Sequence, residues 1–434
     1  MKSQKEILIK LGIQSLNQMQ QEARKAILHG DEIVLLSPTG TGKTLAFLLP
    51  IINELSPKVP TVQALILVPS RELAIQIEAV MREMGSGYRV DSVYGGRPGS
   101  KEREDLKTPP AILVGTPGRV ADHLRREAFS VKTIRTLVLD EFDKSLETGF
   151  EKEMKQIVTA LPSLKKKILT SATNEVEFPD FMGLKDPVTI DYLGTRSSQL
   201  RMVDVPAPEK DKLITLEKVL GQTGSGRGII FCNVKGTLRF VADFLDSRGI
   251  DYAVFMGGLE QTERERALIK FRNGTHRLLL STDLAARGID VPELDFIIHY
   301  QMPSKEAEFT HRNGRTARMH ANGTAYLMHW DGYPLPDYVT ETEDIDLDPE
   351  PGNVQNSKWA TLYVSAGRKD KVSKGDIAGL FFKQGGLEKG ELGVIELLAD
   401  CTFVSVPRAK TEGLIALLNN GRVKKRKIRV SELE

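Results

Sequence analysis

Residues 32–44 read EIVLLSPTGTGKT, and this stretch decides the fold. An apolar run stops at Ser37, a turn with two glycines follows, and Lys43-Thr44 open a helical pattern. Strand, glycine turn and helix N-terminus in that order make a cradle for phosphate. Backbone amides converge on the oxygens and the helix end favours negative charge. Within Thr39, Gly40, Thr41, Gly42, Lys43 and Thr44, the glycines permit the turn and close approach. Lys43 reaches the β and γ phosphates, and the Thr44 hydroxyl is a candidate ligand for Mg²⁺. The general pattern asks for glycine where Ser37 stands, so the surrounding strand and helix carry the reading. The plain alternative is a turn that binds no nucleotide.

Outward from this turn, short apolar strands alternate with helical patterns. ALILVPS (64–70) precedes RELAIQIEAVMREM, whose Leu73, Ile77, Val80 and Met84 share a face. AILVGT (111–116), TLVLD (136–140) and KKILTSA (166–172) continue the rhythm. Such βαβ units predict a parallel sheet covered by helices on both faces. After residues 191–206, read as a joining segment, the rhythm restarts with GIIFCN, YAVFMGG, HRLLLST, LDFIIHY and GTAYLMHW. The chain therefore divides into α/β domains at 1–190 and 207–335. An acidic, proline-containing stretch at 336–357 reads as a solvated linker. A small α+β module follows at 358–434.

The strand TLVLD ends in Asp140-Glu141, followed by Phe142 and Asp143. A Mg-nucleotide needs a carboxylate on its metal at a strand end beside the phosphate turn, and Asp140 fits. It also needs a group to orient the attacking water, and Glu141 fits. For either acid alone, a structural cap is the ordinary alternative.

Composition narrows the class. A chain of 434 residues suggests about three domains. No apolar run approaches the roughly 20 residues of a membrane span. The N-terminus lacks the pattern of a secretion signal. Cys232 and Cys401 lie far apart and suggest no disulfide framework, so cytoplasm is the expected compartment. Residues 355–434 hold 15 Lys/Arg against 9 Asp/Glu, whereas residues 1–354 hold 45 against 49. A basic module on a nearly neutral body points to a polyanion partner.

Taken together the motifs resemble those of the DEAD-box RNA helicases of superfamily 2. PSRELAIQ (69–76) is similar to the family's PTRELA segment. Gly95-Gly96 and TPGR (116–119) are similar to its next two nucleic-acid motifs. DEFD (140–143) stands where DEAD stands, and Ser171-Ala172-Thr173 matches the SAT motif. IIFCN, QTER (261–264), STDLAARGID (281–290) and HRNGRTAR (311–318) follow in the family order. The resemblance implies two tandem RecA-like parallel-sheet domains with ATP and RNA bound across their cleft. It implies that Lys43, Thr44, Asp140 and Glu141 serve ATP and Mg²⁺, that Asp290 touches the ribose, and that Arg315 and Arg318 reach the γ-phosphate as arginine fingers. It assigns the adenine edge to Gln20, and RNA contacts to Arg71, Gly96, Thr116, Arg119, Arg264, Thr282 and Gly288. These groups read phosphates rather than bases. Asp143, Ser171 and Thr173 would couple the two activities.

Several positions depart from the family. Asn17-Gln18 replaces its Thr-Pro, no Phe, Tyr or Trp precedes Phe47, and Phe142 replaces a small alanine. Asn313 and Ala317 replace the usual Ile and Gly, and His311 reads as a structural histidine.

Residues 358–434 resemble the C-terminal RNA-binding domain of the DbpA group, an RRM-like β-α-β-β-α-β module. Tyr363 and Phe403 stand near its aromatic platform positions, but Cys401 stands where another aromatic is expected, so a plain core role for Phe403 is the equal alternative to stacking. Arg368, Lys369, Lys371 and Lys374 crowd one loop, and GRVKKRKIR crowds another. The resemblance implies a structured large-subunit ribosomal RNA hairpin as partner and a role in ribosome assembly, with a basic tail that raises affinity for any RNA as the plain alternative; a monomer is the expected state. A nucleotide-gated RNA clamp with little turnover and a DNA-directed helicase are the alternatives.

Overall fold

The computed structural model describes residues 2–96, 98–147, 149–173, 178–193, 200–283, 291, 294–317, 322–348, 350 and 352–433. Among them no helix is long and apolar enough to cross a membrane. The expected Gly288, Asp290 and Arg318 lie outside the described residues.

The chain forms two compact units. The first contains a seven-stranded sheet of β1 (Glu32–Leu36), β2 (Ala64–Leu67), β3 (Val90–Val93), β4 (Ile112–Gly115), β5 (Thr136–Leu139), β6 (Lys166–Ser171) and β7 (Val188–Asp191). Its order is β3-β4-β2-β5-β6-β1-β7, and every pairing is parallel. The strands are nearly continuous apolar runs because both faces are covered. Ile33, Leu35, Ala64 and Ile66 enter one core, while Val34, Leu36, Leu65 and Leu67 enter the other. Loops at the carboxyl ends of such strands are where open α/β sheets bind ligands. The strand order sorts those loops. The phosphate turn, the SAT motif and the paired acids follow the neighbours β1, β6 and β5. Arg71, Thr116 and Gly95-Gly96 follow β2, β4 and β3.

The segment from Lys305 also belongs to the first unit, although it lies between strands of the second sheet. Sequence periodicity carries no signal for that assignment, which rests on long-range packing.

The second unit holds β8 (Leu200–Ala207), β9 (Gly228–Cys232), β10 (Ala253–Phe255), β11 (Leu278–Thr282), β12 (Phe296–His299), β13 (Gly323–Trp330) and β14 (Glu343–Asp344). The order is β10-β11-β9-β12-β13-β8-β14, again parallel. Two expectations are corrected here. Residues 200–206, read as part of the joining segment, lie in β8, which pairs along its whole length with β13. The acidic stretch is also no free tether. Glu343–Asp344 extend the sheet on β8, and Ile345, Leu347 and Val354 pack on the core. Gln222 donates to the Asp346 carbonyl at 2.8 Å, and Arg277 Nε donates to the Gln355 carbonyl at 2.6 Å.

The C-terminal module comprises β15 (Trp359–Val364), β16 (Ile395–Leu397), β17 (Thr402–Pro407), a hairpin of β18 (Arg422–Val423) and β19 (Arg426–Lys427), and β20 (Val430–Glu432). Its antiparallel order, β16-β17-β15-β20, with helices Lys374–Lys383 and Thr411–Leu418, is the expected β-α-β-β-α-β plan. One face of this sheet packs within the second unit. Phe403 is buried with Ile269 and Leu433, and Tyr363 lies against Phe403 with ring centroids 5.8 Å apart. Of the two readings of Phe403, core burial is the one observed: Ile269 from the helix Gln261–Arg272 packs on it, with Tyr363 partly buried alongside. Arg272 pairs with Glu396, the Thr275 and Thr361 hydroxyls lie 2.6 Å apart, and Ser405 Oγ donates to the Asn273 carbonyl at 2.7 Å. A charge at position 269 removes the apolar centre of this contact. Ile269→Asp is expected to uncouple the module from the parallel sheet, read by calorimetry as a separate, lower-temperature melting of the module.

Candidate nucleotide and RNA site

The phosphate turn is held from two directions. Gly42, at φ +86°, caps the helix Lys43–Glu54 in left-handed geometry. A side chain there would also strike Gln20 Nε2. Asn17 caps the helix Gln18–His29, accepting from the Gln20 amide at 2.8 Å, and its own Nδ2 donates to the Thr41 carbonyl at 3.0 Å. Asn17 thus serves as both cap and strap. Gln20 accepts from the Asn17 amide and donates to the Gly42 carbonyl. These bonds use one lone pair and one N–H of its carboxamide, which leaves a second pair for an adenine edge.

Lys43 is buried, and its ammonium donates to the Ser37 carbonyl at 2.5 Å and the Pro38 carbonyl at 2.9 Å. Burial pushes its pKa down, opposed by the charges of Glu141, Asp140 and Asp143, while Arg315 adds to the lowering. These five groups therefore share one field. Thr39 Oγ1 is buried and has no partner among the described residues. An orphaned hydroxyl inside a glycine turn fits a ligand rich in acceptors.

Asp140 continues the ladder of β5, its amide donating to the Leu67 carbonyl at 2.9 Å. Burial and the Glu141 charge raise its pKa to about 6. Thr170 on β6 joins the pair: its hydroxyl donates to Asp140 Oδ1 and accepts from the Glu141 amide. Glu141 sits at φ +49°, a left-handed conformation that costs about 1–2 kcal/mol in a non-glycine residue. Thr44 and Asp140 supply one hydroxyl and one carboxylate. This set fits Mg²⁺, which keeps waters and takes phosphate oxygens. Among the described residues no group of three or more His, Cys, Asp or Glu makes a metal cage.

Phe142 fills space in the core with Leu139, Met154 and Ile157. Asp143 accepts from Thr173 Oγ1 at 3.2 Å, and Ser171 Oγ accepts from the Thr173 amide at 2.9 Å. His311 Nε2 lies 3.4 Å from the same Asp143 oxygen. Burial pushes the Asp143 pKa up, but the His311 and Lys144 interactions carry it below its ordinary value. His311 therefore acts as a partner of the last acid. Gly314 abuts Thr39, and Arg315 is buried at 5% exposure. Ala317 stands at φ +51° where the family has glycine. Ala317→Gly is expected to relieve this strain and raise stability by roughly 0.5–1 kcal/mol, read as a higher denaturant midpoint.

The first unit's four RNA candidates also converge. Gly96, at φ +95°, lies under Arg71, whose Nη1 would be 2.6 Å from any Cβ there. Thr116 caps the helix Pro117–Arg125, which carries Arg119 in its first turn. In the second unit Arg264 lies over the Phe255 ring at 4.8 Å, and Thr282 ends β11 in a buried position. In the C-terminal module Arg368, Lys369, Lys371 and Lys374 are exposed. Lys424 donates to the Lys371 carbonyl at 2.7 Å, which joins the two basic loops into one surface. Asp400, Asp376 and Asp370 pair with Lys369, Lys424 and Arg426 along it.

Residues 17–180 match the DEAD/DEAH box helicase family, residues 211–320 the helicase conserved C-terminal domain, and residues 361–432 the DbpA RNA binding domain. The DEAD-box ATP-dependent RNA helicase CshB of Listeria monocytogenes is 32% identical over 378 residues, covering 85% of this chain and 86% of the relative. The chain belongs to the DEAD-box helicases. DEAD-box enzymes are RNA-stimulated ATPases, and this chain is an ATP-dependent RNA helicase of that class that binds ATP and RNA. The ATP-dependent RNA helicase DbpA of Escherichia coli is 29% identical over 440 residues, covering 98% of this chain and 96% of the relative. Among solved DEAD-box structures, that of S. cerevisiae Dbp5 bound to RNA and ADP BeF3 superposes with a TM-score of 0.68 at 28% identity. It covers 76% of this chain and 88% of that one. Mss116 bound to ssRNA and UDP-BeF gives 0.66 at 26% identity, covering 75% and 72%.

Proposed function

We propose that this DEAD-box helicase locally pries apart short RNA duplexes next to a structured RNA held by its C-terminal module, and that this RNA is ribosomal RNA of the assembling large subunit. The single observation that carries the reading is the convergence in the first unit of Lys43, Asp140, Glu141, Asp143 and Arg315, with His311 bonded to Asp143. In this reading Thr44 and Asp140 hold Mg²⁺, Glu141 orients the attacking water, and Arg315 neutralises charge developing on the terminal phosphoryl group. The His311–Asp143–Thr173 chain links that chemistry to the SAT motif. Arg71, Gly96, Thr116 and Arg119 take the phosphates of one strand, and Arg264 and Thr282 take further phosphates. Arg318, Asp290 and Gly288 belong to the same scheme by resemblance. The enzyme works as a monomer in the cytoplasm. Retention of Glu141 and Arg315 favours turnover over a passive clamp.

The docked module sharpens the addressing role. With its sheet face against Ile269, the joined basic loops are its outward surface for a hairpin. Lys371→Glu combined with Lys374→Glu is expected to abolish enrichment of large-subunit ribosomal RNA in crosslinking, while ATPase activity at saturating generic RNA is kept. Recovery of the same RNAs by the variant and the parent chain overturns the address.

A further inference from the structure

Glu102 lies in the first turn of the helix Gly99–Leu106 and is almost fully buried. One oxygen of its carboxylate, Oε2, takes two partners. Arg119 Nε donates to it at 2.6 Å, and His123 Nε2 lies 2.8 Å away. The other oxygen accepts from the Tyr94 amide at 3.3 Å, immediately before Gly95-Gly96. One buried acid thus ties the loop after β3 to the helix after β4, the two segments that carry Gly96 and Arg119.

The electrostatics support a permanent carboxylate. Burial raises the pKa of Glu102, but His123, Arg119 and the Tyr94 amide outweigh it and hold the acid below its ordinary value. His123 is fully buried, so its ring is a fixed strut. Because a carboxylate only accepts, His123 presents Nε2–H to it. Asp122 Oδ2 lies 3.8 Å from Arg119 Nη1, a second and weaker acidic contact on the same guanidinium. Gly99 completes the seat: a Cβ there would stand 2.9 Å from Arg119 Nη2.

A buried acid bonded to the Nε edge of an arginine fixes the plane of the guanidinium and hence the direction of its terminal nitrogens. We infer that Glu102 is a positioning residue for RNA: it presets Arg119, together with the Gly95-Gly96 turn, for a backbone phosphate. The inference rests on Arg119 being an RNA contact, as proposed for this family member. Preorganisation of this kind lowers the ordering cost of binding. Its loss appears in the RNA concentration needed for stimulation rather than in the rate at saturation.

A double-mutant cycle on the full chain tests it, with a single-stranded RNA oligonucleotide as probe and RNA-stimulated ATPase as readout. Glu102→Gln keeps the shape and removes the charge. It is expected to raise the KM for RNA about tenfold, the scale of one charge-assisted hydrogen bond, with kcat at saturating RNA changed less than about twofold. Arg119→Ala is expected to raise it at least as much. In the Arg119→Ala background, Glu102→Gln is expected to add less than about a further twofold, because the group it orients is gone. If Arg119→Ala leaves the KM for RNA unchanged, the RNA reading of Arg119 fails. If Arg119→Ala weakens RNA binding but Glu102→Gln is silent or fully additive with it, Glu102 is structural and the inference fails. Should Glu102→Gln lower the melting temperature strongly, His123→Phe replaces it in the cycle. That change removes the other donor on Oε2, and the same non-additivity with Arg119→Ala is required.

Discussion

Arg315→Ala is expected to lower the kcat of RNA-stimulated ATP hydrolysis about 10³–10⁵-fold, roughly 4–7 kcal/mol of transition-state stabilisation. The reason is electrostatic. Arg315 is buried in the unit that carries the phosphate turn, and its charge acts on Lys43. A guanidinium in a site shielded from water stabilises phosphoryl charge far better than one in solvent. The KM for RNA is expected to stay within a few fold, since the proposed role of the arginine is at the phosphoryl group. Arg315→Lys is expected to recover little, because an ammonium lacks the planar fork. Stopped-flow detection of phosphate release on the full chain, at saturating ATP and RNA, checks both variants.

Glu141→Gln is expected to lower the same kcat about 10²–10⁴-fold, the usual scale for removing a positioned proton acceptor. ATP binding is expected to persist, because Glu141 is assigned to the water and the metal is assigned to Asp140. The amide cannot take the proton of the attacking water, yet it keeps the size that the left-handed turn at position 141 accommodates. The variant is therefore expected to accumulate as an ATP-bound and RNA-bound complex, visible as slow release of labelled nucleotide. A variant that instead loses nucleotide affinity would move Glu141 into the metal's coordination.

Much of this site is legible in the sequence. The phosphate turn, the acids after β5 and the SAT motif each come directly after a strongly apolar strand, and open parallel sheets bind ligands at the carboxyl ends of their strands. Pattern alone does not show that β1, β6 and β5 are neighbours, because strand order is decided by crossovers rather than by any local stretch. The strand β8 escapes a reading by pattern since LRMVDVPA carries Arg201, Asp204 and Pro206 among its apolar residues. The acidic stretch misleads for a related reason. Its net charge masks Ile345, Leu347 and Val354, three widely set anchors whose burial binds it to the core. Phe403 reads ambiguously because its neighbour, Ile269, lies 134 positions away in the chain. Glu102 is invisible: within KEREDL one glutamate looks like another, and only the fold shows which one meets Arg119 and His123. The left-handed backbone at Ala317 is hinted at by the family's glycine, which is a statement about φ written as a residue type.

The measurement that bears most directly on the account is strand displacement of a short RNA duplex flanked by a structured hairpin, monitored alongside phosphate release from the same mixture. The account predicts that RNA accelerates phosphate release, that the duplex parts only with ATP, and that both signals vanish together in Arg315→Ala. Phosphate release indifferent to RNA, or tight ATP-dependent RNA binding with neither turnover nor strand separation, would contradict it.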